Sequence, residues 1–225
     1  MEVLISENQY KNLFEAAMPG FRLDVLRSSG SFANMVKYCN KMLGQPIGIG
    51  SSRIVYQLDD ETVLKLARDP KGIAQNKEEI KIGLESGLEF VPKIFNGTDE
   101  RNGIWIISEF VLPATKGDFR KVFGIKFDDI YKFVYHLQLS KNPGFEGMHH
   151  TYCVNAIYDD YSWCVNGTRL LKEIESLFNN YNSLVHDLTS IENWGMCRRN
   201  GKTYMVILDS GCSREIYNAF YKFRI

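Results

Sequence analysis

Three stretches of the sequence predict an α+β fold. Residues 52–111 run strand, strand, helix, strand, strand, with short β-branched and aromatic runs set between turns. Beyond Pro113 the apolar residues recur at spacings of three and four, the period of amphipathic helices. The chain then closes on two short strands around a turn at 198–202, followed by a helix from about Ser213.

Taken in order, residues 6–18 and 22–43 read as helices, the second through Leu23, Leu26, Met35, Val36, Cys39 and Leu43. Gly44 and Pro46 end that pattern. Residues 52–58 and 62–67 flank Asp59-Asp60-Glu61 and predict an antiparallel hairpin. A helix is expected over 71–86, a strand near 93–95, a turn at 98–103 and a strand over 104–111. Helices are expected at 127–139 and 169–184, and residues 142–167 carry no period that assigns them. These divisions give a helical N-terminal extension at 1–43, a β-rich part at 44–112 and a helical part at 113–225, with the composition changing at Pro113.

The chain is 44% apolar and 13% aromatic, which suits a packed core and excludes disorder. Its 27 basic and 27 acidic residues cancel, so no overall field favours nucleic acid. Cys39, Cys153, Cys164, Cys197 and Cys212 form no CxxC pair and read as reduced thiols. No basic leader and no membrane-length apolar run is visible, so a cytoplasmic protein is expected, without membrane or nucleic-acid partners. His149, His150, Cys153 and Cys164 lack a zinc spacing and read as structural.

Three groups of residues carry chemistry. Gly48-Ile-Gly50-Ser51-Ser-Arg53-Ile-Val55 is followed by a hairpin turn and Val-Leu-Lys65-Leu-Ala. Closely spaced glycines let backbone approach phosphate oxygens, Val55 offers an apolar surface to a base, and Lys65 supplies charge. The alternative is an ordinary hairpin with a solvated lysine. On the next helix, Glu78 and Glu79 are both placed to pair with Lys65. Glu79 is preferred, on a stripe with Ile73, Asn76, Ile80 and Leu84. Near the C-terminus, His186-Asp187-Leu188 precedes Asn193, and a strand ends in Asp209-Ser-Gly. These are hard oxygen donors for Mg²⁺, with a carboxylate to orient a hydroxyl; singly, each also suits a cap or a turn.

In this order the groups, with Ser108-Glu109-Phe110-Val111 between them, resemble the protein-kinase-like fold, and in particular small bacteriophage-encoded kinase-like proteins, over about residues 44–215. The resemblance implies two lobes, a small β-rich N-lobe and a reduced helical C-lobe, binding ATP and Mg²⁺. It implies that Gly48, Gly50 and Ser51 cover the phosphates, Lys65 contacts them and Glu79 orients Lys65. Backbone at Glu109–Val111 would hold adenine, Asp187 would be the catalytic base, and Asn193 and Asp209 would hold the metal.

Several positions depart from that pattern. Arg53 stands where a third glycine is usual and is free to meet phosphate or an acidic partner. Asp187 and Asn193 are one residue further apart than usual, so the loop must bulge. Ser210 replaces a phenylalanine, and the short segment after Asp209 argues against the usual peptide-docking mode. The expected activity is an ATP-dependent phosphotransferase acting on a small molecule or a host protein. The alternative is a pseudokinase-type module that binds a host or viral protein in the host cytoplasm.

Overall fold

The computed structural model describes residues 20–141, 147–208 and 210–222, without the side chains of 147–149. The fold is α+β, with two small antiparallel sheets and nine α-helices among the described residues. The chain divides into two compact units: residues 1–80 with 93–110, and 81–92 with 111–225. The expected helix at 6–18 lies outside the described residues.

Unit 1 is built on a four-stranded sheet in the order β1 (Gly48–Ile49), β2 (Arg53–Gln57), β3 (Thr62–Ala67), β4 (Trp105–Glu109). Asp59 closes the β2–β3 hairpin, its side chain accepting from Glu61 N–H and Thr62 N–H at 2.8 and 2.7 Å. The stretch expected as one helix over 22–43 is two, α1 (Leu23–Ser28) and α2 (Phe32–Leu43). Gly30 turns the chain at φ +73°, and the Ser31 hydroxyl caps α2 by accepting from Asn34 N–H.

Strand alternation gives the sheet two unlike faces. Ile54, Tyr56, Leu64, Leu66, Trp105 and Ile107 share one, packed with Phe21, Leu26, Met35 and Cys39. The 22–43 segment therefore covers the sheet and belongs to its unit rather than hanging from it as an extension.

The other face meets α3 (Pro70–Glu85), which Asp69 starts by accepting from Gly72 N–H at 2.8 Å, with Pro70 in the first turn. The buried stripe of α3 is polar: Gln75, Asn76 and Glu79 all lie inside. Of the apolar residues expected on that stripe, Ile80 is buried and Leu84 is 53% exposed; Ile82, beyond the unit boundary, is buried in the core of unit 2.

Unit 2 has the sheet β5 (Leu112–Pro113), β6 (Trp194–Arg199), β7 (Lys202–Ile207). Around it stand α4 (Lys116–Phe123), α5 (Phe127–Ser140), α6 (Gly147–Asp160), α7 (Val165–Asn180), the short α8 (Val185–Thr189) and α9 (Arg214–Phe220). The core gathers Phe119, Phe123, Phe133, Leu170, Leu171 and Trp194. Trp194 is fully buried, with its indole N–H donating to Leu188 carbonyl at 3.1 Å. Gly195 is required by close packing, since a Cβ there would lie 2.4 Å from Val111 Cγ1 and 2.6 Å from Leu112 carbonyl oxygen. Three helices had no sequence assignment: α4, which a Thr115–Asp118 capping box begins, α6 and the short α8.

Candidate functional site

Within unit 1, Gly48, Val55, Lys65 and Ile106 lie in one row across β1–β4. Lys65 is buried, at 7% exposure, so it is not a solvated hairpin lysine. Its Nζ donates to Glu79 Oε2 at 2.7 Å. The other oxygen, Oε1, accepts from Arg53 Nη1 at 2.5 Å. Arg53 is therefore turned to an acidic partner, the second of the two roles open to it in sequence.

Glu79 is 4% exposed. Burial would push its carboxyl upward, but the Arg53 and Lys65 cations outweigh that and hold it below the usual carboxylate range. A charge in such a place persists only when paired and hydrogen-bonded.

The shell around this triad is also polar. Asn76 Nδ2 donates to the carbonyls of Lys65 and Gly103, at 3.4 and 2.9 Å. Ser52 Oγ donates to Gln75 Oε1 at 2.5 Å. These contacts join α3 to β3, to the residue before β2 and to the turn before β4.

The turn between β1 and β2 is closed by Gly50 N–H donating to Arg53 carbonyl at 2.8 Å. Arg68 Nη1 donates to Gly50 carbonyl at 2.8 Å and Lys71 Nζ to Ser51 Oγ at 3.2 Å. Sequence reasoning did not pick out these two cations. Their signal was only their position, just after the lysine strand.

Neither Gly48 nor Gly50 is demanded by the fold itself. A Cβ would meet Val55 at 3.7 Å in the first case and Arg53 carbonyl at 3.5 Å in the second, both ordinary contacts. Gly72 is different, because a Cβ there would fall 2.2 Å from Ser52 carbonyl oxygen. Helix α3 can approach the turn only through that glycine.

At the end of β4, the N–H groups of Glu109 and Phe110 already donate to the carbonyls of Lys93 and Glu61, at 3.0 and 2.6 Å. Neither remains free to donate to a ligand. Val111, the third residue of that stretch, falls in unit 2.

Unit 2 brings Asp187 and Asn193 together. Asp187 lies in α8, and Asn193 ends a 3₁₀ turn over Ile191–Asn193, so helical turns absorb the extra residue between them. Asn193 Nδ2 donates to Asp187 carbonyl at 3.2 Å and stands 3.5 Å from Asp187 Oδ1. With the amide nitrogen so used, Oδ1 of Asn193 is the end that can meet a cation. Leu208 N–H donates to Asn193 carbonyl at 2.6 Å, which brings the end of β7 to the same place. Asp209, the next residue, lies outside the described residues.

No three His, Cys, Asp or Glu groups converge as a metal site among the described residues. His150 Nδ1 stands 3.0 Å from His136 Nδ1. No known protein family matches the chain, and neither does any curated protein.

Proposed function

We propose that the chain is an ATP- and Mg²⁺-dependent phosphotransferase of the protein-kinase-like class, with unit 1 as its β-rich N-lobe and unit 2 as a reduced helical C-lobe. The observation that carries this reading is the buried Lys65–Glu79 ion pair, on the strand that returns from a Gly48-x-Gly50-Ser51 turn. A lysine held inside by one carboxylate costs desolvation that a purely structural position would avoid with an apolar residue. Two glycines that the fold does not itself require support the same reading, since they leave room for phosphate oxygens near the backbone.

In this reading Lys65 binds the phosphates and Glu79 orients it. Gly48, Gly50 and Ser51 cover the phosphates, Val55 packs on the base, and adenine is held at the Glu109–Val111 backbone. Because the Glu109 and Phe110 N–H groups are committed, that contact falls to their carbonyls and to Val111. Asp187 orients the acceptor hydroxyl and takes its proton. Mg²⁺, when bound, neutralises charge on the transferring phosphoryl, and Asn193 Oδ1 with Asp209 would hold it. The acceptor is a small molecule or a host protein.

A second reading, a pseudokinase-type module acting through a protein partner, is favoured by Arg53. Its guanidinium shares Glu79, so the carboxylate serves two cations rather than Lys65 alone. Incubation with γ-labelled ATP and Mg²⁺ separates the two. Label transferred by the wild type and lost in Asp187→Ala supports the enzyme; transfer undiminished in Asp187→Ala overturns the assignment of the base.

A further inference from the structure

Unit 2 carries an open pocket of about 450 Å³ between α4 and the start of α5, apart from every residue considered above. Lys116, Arg120, Lys121, Lys126, Phe127 and Asp128 line it. Lys116 and Arg120 are one helical turn apart on α4, and Lys126 arrives from the connection to α5, so the cations converge from two elements. The walls are mostly carbon, formed by side-chain stems, while the charged groups stand in solvent.

Charge pairing within the pocket is uneven. Lys116 Nζ meets Asp128 Oδ1 at 3.0 Å, and Lys121 Nζ lies 3.9 Å from Asp118 Oδ1. Arg120 and Lys126 meet no carboxylate at ion-pair distance among the described residues. Asp129, the nearest acid in sequence on α5 beyond Asp128, is taken by Lys132 at 3.0 Å and by the Tyr161 hydroxyl at 2.5 Å. Cations thus outnumber carboxylates around the pocket: Lys116 is matched by Asp128, Lys126 feels only the longer-range field of Asp129, and Arg120 meets no carboxylate at ion-pair distance.

We infer that this pocket binds a phosphate monoester. A monoester carries close to two negative charges at neutral pH, whereas a carboxylate or a phosphodiester carries one. Guanidinium matches phosphate through two parallel hydrogen bonds, and Lys126 adds a point charge. The carbon walls accept the organic part of the ester. A phosphorylated protein side chain and a phosphorylated small molecule share this chemistry. The site does not depend on the nucleotide reading of unit 1.

The test is calorimetry on the full chain with O-phosphoserine, a phosphoserine peptide, its unphosphorylated counterpart and a single-stranded oligonucleotide of phosphodiesters. Both phosphoserine probes bind, the unphosphorylated peptide does not, and Arg120→Gln and Lys126→Gln each weaken binding at least about tenfold. Affinity also falls as pH drops below about 6, where the monoester loses its second charge. A peptide tighter than free phosphoserine identifies a protein source, and equal affinity a small molecule. Lys65→Met leaves this binding unchanged, so it fails or holds separately from ATP binding. No binding of either phosphoserine probe at millimolar concentration, affinities untouched by both substitutions, or tighter binding of the oligonucleotide would overturn the assignment.

Discussion

Arg53 and Lys65 hold opposite oxygens of a single carboxylate, that of Glu79, at 2.5 and 2.7 Å. All three side chains are buried, so the group carries one net positive charge inside unit 1. Its energetics depend on which charge is removed.

Glu79→Ala leaves two buried cations without their shared partner and should destabilise the protein by about 3–5 kcal/mol. Arg53→Met leaves a neutral pair and fills similar volume, so it should cost less, about 1 kcal/mol or under. Urea denaturation of both variants checks the order. An Arg53→Met cost equal to that of Glu79→Ala would show that Arg53, not Glu79, anchors the group.

Acid should unmask the same carboxylate. Because Glu79 is held below its reference value of 4.5, its contribution is complete above that value and is lost as pH falls through the lower folded-state pKa. The wild type should therefore lose stability below about pH 4.5 more steeply than Glu79→Gln, which has no proton to take up. Parallel acid limbs in melting curves from pH 7 to pH 3 would contradict the ion-paired state.

Three glycines should respond differently to alanine. Gly72→Ala drives a Cβ to 2.2 Å from Ser52 carbonyl oxygen and should cost about 2 kcal/mol or more, although Gly→Ala in an open helix stabilises by about 1 kcal/mol. Gly48→Ala and Gly50→Ala meet only ordinary contacts and should change stability by about 0.5 kcal/mol or less. In the proposed reading these two nevertheless weaken nucleotide binding. Paired stability and ATP titrations on the three variants check both halves.

Much of the architecture could be read from the residues themselves. The β2–β3 hairpin followed from two β-rich runs about Asp59, and α5 and α7 followed from their apolar period, because in each case the local pattern and the burial agree. The split between α1 and α2 was written in Ser28-Ser29-Gly30-Ser31, but the apolar spacing ran across it.

Helix α3 shows the reverse limit. Its inward face carries Gln75, Asn76 and Glu79, so apolar periodicity pointed to Leu84, which faces solvent. Glu79 could be found only by asking what a lysine on β3 would need. The partner of Arg53 depended on register: β2 places Arg53 and Lys65 on the same face, two positions apart across the hairpin. The nearness of Asp187 and Asn193 rested on helical turns too short to leave a period.

The proposed division of labour predicts separable defects at the two carboxylates of the C-terminal segments. Asp187→Ala should spare ATP binding while abolishing transfer, and Asp209→Ala should remove the Mg²⁺ dependence of binding. Isothermal titration with and without Mg²⁺, beside a transfer assay, reads both. Loss of ATP affinity in Asp187→Ala would assign that residue to binding instead.

A thermal-shift titration with ATP and Mg²⁺ on the wild type and Lys65→Met, each compared with its own nucleotide-free melt, bears most directly on the role of Lys65. Ligand at a hundred times its dissociation constant adds about 2.7 kcal/mol, which is roughly 5–10 °C for a chain of this length. The wild type should show a rise of that order and Lys65→Met little or none. No rise in the wild type at millimolar ATP, or an equal rise in Lys65→Met, would contradict a nucleotide site built on the Lys65–Glu79 pair.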